Sequence, residues 1–313
     1  MAPVPAAEDR FGDVLAARVL ARRSQIVLGL DPDPSALWPR ALKDASALSG
    51  ASPSLRAAAA VAAHCKALID AAGPACVAVK PQLACFERLA AEGRAALADV
   101  IAHARAAGLL TIADGKRGDI DVSAAAYAQS LFEGFHTPFG LVPGLQVDAA
   151  TVNPLMGRDT LAPFLAAARA RGAGLFALVR TSNPGAADIQ ELTLADGSPV
   201  WERLAAIVAE LGSERVGESG LSDLGAVVGA TAPAVLARAR EAMPHAVLLL
   251  PGVGAQGGRV EDLAPAFAPG PAGGLVSASR SIAGAHLKTG EDPPIAARAE
   301  AERLRAIAWA LSA

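Results

Sequence analysis

The chain has 313 residues, of which 52% are hydrophobic, and its 28 Lys and Arg against 31 Asp and Glu leave a net charge of −3. With no basic face or tail, that balance gives no reason to expect nucleic acid or an acidic membrane as a partner, and no run approaches the length of a membrane span. Cys65, Cys76 and Cys85 form no C-x-x-C pair, so reduced thiols in a cytoplasmic protein are expected rather than a disulfide framework or a metal site.

The first residues, MAPVPAAEDRFGDVLAARVLARR, put acids ahead of the apolar positions and lack the basic start and apolar core of a secretory signal. They predict a disordered lead-in over about residues 1–12 and then an amphipathic helix. Short apolar runs follow, each ending in polar or turn residues: QIVLGLD, CVAVKPQ, LLTIADGK, AATVNP, LFALVRTSNPG, LGAVVGAT, AVLLLPGVG and GGLVSASR. Between them lie Ala-rich helical stretches such as SLRAAAAVAAHCKALIDAA and APAVLARAREAM. Strands that are apolar almost throughout are buried on both faces, and alternation with helices makes the sheet parallel. Eight such units over this length predict a (β/α)8 barrel, residues 1–313 forming one domain, with extra N- and C-terminal helices. Additional helix or loop is expected at about residues 35–75 and between TSNPG and GLSDLG. The C-terminal EDPPIAARAEAERLRAIAWALSA reads as a closing amphipathic helix.

In such barrels the chemistry sits at the C-terminal ends of the strands. Asp31, Lys80, Asp114, Lys116 and Asn153 all fall there. Residues two apart in a strand face the same way. Asp114 and Lys116 can therefore point together into the barrel mouth, with Asp119 beyond them and Lys80 arriving from the neighbouring strand. D-x-K-x-x-D alone would also fit a surface ion-pair cluster of little energetic weight. A lysine closing a different buried strand favours a functional array. Arg117 and Asp121 are expected to face solvent or pair locally.

The loop PGVGAQGG matches G-x-G-x-x-G at Gly252, Gly254 and Gly257, the dinucleotide fingerprint. Here it follows the seventh strand rather than the first, and Ser277 stands in the region where the ribose-binding acid should lie. Arg280 closes the next strand. Loop amides and a guanidinium at these two strand ends fit a phosphate site, so a monophosphate is a better ligand than a dinucleotide. The histidines (His64, His103, His136, His245, His286) show no ligand spacing, and packing or surface roles are expected.

GLDPDP, AVKPQLACFE, DGKRGDI, TVNPLMG, LVRTSNPGAADIQ, GLSDLGAVVGAT, LLLPGVGAQGG and SASRSI occur in that order. Together they resemble the orotidine 5′-phosphate decarboxylase family, in particular its longer bacterial branch, over almost the whole barrel. The resemblance implies conversion of orotidine 5′-phosphate to UMP without metal or organic cofactor, by a homodimer. Catalytic roles fall on Lys116, Asp114, Asp119 and Lys80, with Asp119 entering from the other subunit together with Ser123, which replaces a usual Thr. Asp31 is implied at the ribose, Ser182 at the pyrimidine, and Gln256 and Arg280, with the loop of Gly254 and Gly257, at the phosphate. Three positions depart from the pattern. Gly115 replaces a larger apolar residue, which would loosen the strand end; Met156 replaces an aromatic; Asp121 replaces a Gly. A Mg2+-dependent hexulose-phosphate synthase-like aldolase shares D-x-K-x-x-D, but the cationic Lys80 opposes a metal there. A non-catalytic nucleotide-binding barrel would be expected to have lost part of the array, and a dehydrogenase using the glycine loop is the remaining alternative.

Overall fold

The structure is a computed structural model and describes residues 10–254 and 257–312. Eight parallel strands close into a barrel: β1 (Ile26–Leu30), β2 (Ala78–Pro81), β3 (Leu110–Arg117), β6 (Ala149–Val152), β7 (Gly174–Arg180), β8 (Leu224–Val228), β9 (Leu248–Leu250) and β10 (Gly274–Ala278), with β1 pairing to both β2 and β10. These are the eight runs read from the sequence. Between β3 and β6 the chain inserts an antiparallel ribbon, β4 (Phe135–Thr137) with β5 (Gly140–Val142), which the apolar pattern did not reveal.

The helices in chain order are α1 (Phe11–Arg22), α2 (Pro39–Ser46), α3 (Pro53–Ala72), α4 (Leu83–Glu87), α5 (Ala90–Ala106), α6 (Asp121–Leu131), α7 (Ala162–Arg169), α8 (Ala186–Ile189), α9 (Val200–Ser213), α10 (Pro233–Ala242), α11 (Arg280–Ala283), α12 (His286–Thr289) and α13 (Pro293–Ser312). The two looser crossovers contain α2 and α8 as additional pieces. At the start of the described chain, α1 begins at Phe11. Phe11, Leu15 and Val19 recur every four residues and are all buried, which fixes one face of that helix against the barrel.

Burial follows the two-residue period of a strand. In β1, Ile26, Leu28 and Leu30 join the layer between sheet and helices, whereas Val27 points inward. In β7, Leu175, Ala177 and Val179 face the helices while Phe176 fills the barrel. Gly225 gives that ring its space, since a Cβ there would meet Phe176 at 2.8 Å. Phe11 closes the N-terminal end of the barrel, its ring edge-to-face with Phe176 at 6.0 Å between centroids. Gly174 admits it; a Cβ at that position would lie 2.3 Å from Phe11. The Asp13 carboxylate ties the helix down by accepting from the amides of Glu218 (3.1 Å) and Ser219 (2.7 Å).

Removing the Phe11 ring leaves a void where collapse is blocked by the strand ends. Phe11→Ala is expected to cost about 3–5 kcal/mol of stability, read as a lower urea midpoint with an unchanged slope, and Phe11→Leu should recover most of it.

Candidate active site

Toward the C-terminal end of the barrel the inward positions turn polar. Lys80 and Gln82 continue the inner face of β2, Asp114 that of β3, Thr151 that of β6, and Ser277 and Ser279 that of β10. These residues line one cavity of about 380 Å3 with Asp31, Lys116, Thr181, Ser182, Asn183, Gly252 and Arg280, above a floor of Val227 and Leu249. That volume is within the roughly 300–1,000 Å3 of small-molecule sites.

Asp114 is at its centre, buried, with both carboxylate oxygens engaged. Lys80 Nζ donates to Oδ2 at 2.5 Å, and Lys116 Nζ donates to Oδ1 at 2.6 Å. The Thr151 hydroxyl also donates to Oδ1, at 3.0 Å. The expected approach of Asp114, Lys116 and Lys80 is thus present within one chain. Lys80 is buried like its partner, whereas the Lys116 side chain is 43% exposed toward the cavity. Burial alone would raise the Asp114 carboxyl, but the two ammonium groups outweigh it and hold the pKa at about 2. Burial alone would likewise lower Lys80, yet the charges of Asp114 and Asp31 raise it above the ordinary lysine value. Both shifts favour the ion pair.

Lys116 takes an unusual backbone conformation, φ +48°, where the β3–β6 pairing loses register between Ala113 and Arg117. Its amide donates instead to Thr151 Oγ1 at 2.9 Å. The space a side chain would take at Gly115 is already occupied. Leu83 Cδ1 lies 2.7 Å from where its Cβ would be, so a neighbouring side chain fills that space. Arg117 pairs with Glu87 and stacks over Tyr127, and Asp121 is exposed at φ +42°, where a Gly would be unstrained.

Asp31, Ser182 and Arg280 line the cavity as expected. Ser182 is carried on a latched loop: Thr181 N donates to Gln190 Oε1 at 2.8 Å, and Gln190 Nε2 donates to Thr181 Oγ1 at 3.0 Å. Gln256 lies outside the described residues. Gly254 and Gly257 adopt positive φ but do not line the cavity, and their amides are spent inside the turn, on Gly258 O at 2.9 Å and Gly254 O at 3.0 Å. Asn153 is not in the lining either; its Oδ1 accepts from Leu155 N at 3.0 Å, a turn contact. Asp119 and Ser123 lie outside the cavity of their own chain, with Asp119 half-buried and accepting from Ile120 N at 2.8 Å. Sequence reasoning missed Gln82, Thr151, Ser277 and Ser279. Each lies two positions along the inner face from another lining residue or continues its parity, so the same alternation that found Asp114 would have found them.

The glycine loop is followed by a tight turn of helix at Val260–Phe267 containing Pro265, not by the long crossover helix a dinucleotide fold requires. Comparison with known proteins then decides the family. A model of the "Orotidine 5′-phosphate decarboxylase / HUMPS family" matches residues 24–291. The chain belongs to this family. It is 42% identical over 281 residues to the orotidine 5′-phosphate decarboxylase of Rhodopirellula baltica, covering 89% of each chain. It is also 42% identical over 273 residues to that of Deinococcus radiodurans, covering 87% of this chain and 88% of the relative. Among solved structures, the OMP decarboxylase of Leishmania donovani superposes with a TM-score of 0.70 at 32% identity, over 96% of this chain and 98% of that one.

A carboxyl held at about 2 against 3.8 when unhindered contributes stability that is fully present above pH 3.8 and lost as pH falls toward 2. Asp114→Asn removes the charge and leaves buried Lys80 uncompensated, so it should be about 3–5 kcal/mol less stable at neutral pH. The offset should stay constant from pH 8 to about 4 and narrow only below, as measured by denaturant unfolding at each pH. Narrowing between pH 8 and 5 would contradict the depressed carboxyl.

Proposed function

We propose that this family member decarboxylates orotidine 5′-phosphate to UMP by setting the Lys116 ammonium, held by Asp114, at pyrimidine C6. The observation that carries the mechanism is the Lys80–Asp114–Lys116 array at the cavity's inner wall. When the C6–carboxylate bond breaks, carbon dioxide leaves and the electron pair stays on C6, where the ring cannot delocalise it. An ammonium already in place stabilises that charge without reorganisation. Lys116 Nζ then transfers a proton to C6, giving UMP, and recovers its proton from solvent. The Asp114 carboxylate, 2.6 Å from Nζ, holds that ammonium in place.

Ser182 binds the pyrimidine and Asp31 the ribose. Arg280, whose guanidinium makes no ion pair among the described residues, grips the phosphate with Gln256 and the loop of Gly254 and Gly257. Because the loop amides are engaged within their turn, phosphate binding is coupled to rearrangement of that loop, and remote binding energy then orients the ring. No metal or organic cofactor is required: both Asp114 oxygens already accept from ammonium groups, and Lys80 would repel a cation. This disfavours the Mg2+-dependent aldolase alternative.

The working unit is a homodimer in which Asp119 and Ser123 complete the partner's site. Asp119 starts a surface rich in exposed apolar side chains, Ile120 (55%), Val122 (83%), Leu155 (67%), Met156 (49%) and Phe139 (99%). Exposed apolar side chains of this kind support an association face there. Residues 1–313 act as one barrel domain, and the enzyme serves pyrimidine synthesis in the cytoplasm; no described helix is long and apolar enough to cross a membrane.

Two experiments test this reading. Purified protein should convert orotidine 5′-phosphate to UMP at the same rate with and without EDTA, followed by ultraviolet absorbance, and Lys116→Ala should lose at least about 1,000-fold in kcat while binding UMP within a few-fold of normal. Near-normal turnover by Lys116→Ala would end the mechanism. For the dimer, Lys116→Ala and Asp119→Ala subunits, each inactive alone, should regain activity when mixed and allowed to exchange, because one site in each hybrid then has both groups; no recovery despite exchange would place Asp119 elsewhere.

A further inference from the structure

We propose that Thr151 is a positioning residue for Lys116, its hydroxyl fastening both the lysine's backbone and the Asp114 carboxylate to strand β6. This rests on the reading of Lys116 as the proton donor and adds a residue to it.

A lysine on a four-carbon stem, half exposed to the cavity, is not fixed by one ion pair. Its backbone is no firmer by itself. φ +48° is a left-handed conformation that strains a non-glycine residue and persists only where the surroundings impose it. The usual restraint, the strand ladder, is missing because β3 and β6 lose register between Ala113 and Arg117. Thr151 supplies the substitute. It is buried on the inner face of β6, and its oxygen accepts the Lys116 amide at 2.9 Å. That leaves the hydroxyl proton for Asp114 Oδ1, at 3.0 Å, the oxygen that also receives Lys116 Nζ at 2.6 Å.

One hydroxyl therefore closes a ring through the lysine's main chain, its side chain and the carboxylate that orients it. With Oδ2 occupied by Lys80, Asp114 has donors on both oxygens and cannot rotate without breaking one. Val has the same shape as Thr but can make neither bond. Ser can make both.

The test compares the parent, Thr151→Val, Thr151→Ser and Lys116→Ala for kcat, KM for orotidine 5′-phosphate, and UMP affinity. Displacing a reacting group slightly costs rate rather than ground-state binding. Thr151→Val is thus expected to lose about 10- to 100-fold in kcat with KM and UMP affinity within about threefold. Thr151→Ser should stay within about threefold of the parent in every parameter. If Thr151→Val does not fold, Thr151→Ala is the hydroxyl-free variant in the same comparison. An unchanged kcat without the hydroxyl overturns the proposal, as does an equal loss in Thr151→Ser, which would make the methyl the important group. A loss confined to KM and UMP affinity also overturns it, by making Thr151 a ligand contact. Lys116→Ala separates the two levels: if it keeps its activity the underlying reading fails, whereas an inactive Lys116→Ala beside a normal Thr151→Val removes only the role of Thr151.

Discussion

A carboxylate buried in the neck of a hydrophobic barrel is the constraint around which this structure is arranged. Asp114 could not remain charged there alone, since desolvation of an isolated carboxylate would neutralise it. Two ammonium groups share its two oxygens, leaving the three-residue array with one surplus positive charge. A purely structural ion pair has no need of that surplus. Here it lies at the wall of the cavity, on the more exposed of the two lysines, and a reaction that builds negative charge on carbon is one that can use it.

The barrel prepares this arrangement through strand alternation. Leu110, Ile112 and Asp114 occupy the same face of β3, as do Ala78 and Lys80 of β2, and Ala149 and Thr151 of β6. The lower members fill the core and the upper members line the cavity. Rigid packing below therefore sets the relative height of the groups above, and the chemistry inherits its geometry from the apolar layers. The side of the cavity at Arg280 is built differently. Arg280 stands on the short helix α11, and the glycine loop holds its own amides in a turn, whereas Lys80, Asp114 and Lys116 stand on the strands themselves.

Much of this was legible in the sequence because the signals were physical and local. Strands buried on both faces read as near-continuous apolar runs, and all eight fell where those runs lie. Lys80, Asp114 and Lys116 were found because charges at the ends of such runs are costly without partners. The ribbon Phe135–Val142 escaped because its strands have three residues each and are largely exposed, so burial imposes no alternation on them. Thr151 escaped for the opposite reason: threonine is an ordinary strand residue, and nothing in AATVNP distinguishes a hydroxyl that holds an amide and a carboxylate from one that merely packs. The packing at Gly115 was not legible because the leucine that occupies its side-chain space, Leu83, belongs to another unit of the barrel.

The apolar core beneath Val227 and Leu249, with Phe176 and Phe11 packed in it, makes the cavity a blind pocket. Whatever enters must do so from the C-terminal end of the barrel, and whatever forms must leave the same way. Carbon dioxide released in such a pocket has to pass the nucleotide or wait for it to depart, whereas UMP and fresh substrate contend for a single doorway. Product inhibition in such a site is necessarily competitive, and the traffic of molecules through one opening, rather than the bond that breaks, becomes a natural place for the cell's nucleotide level to slow the enzyme.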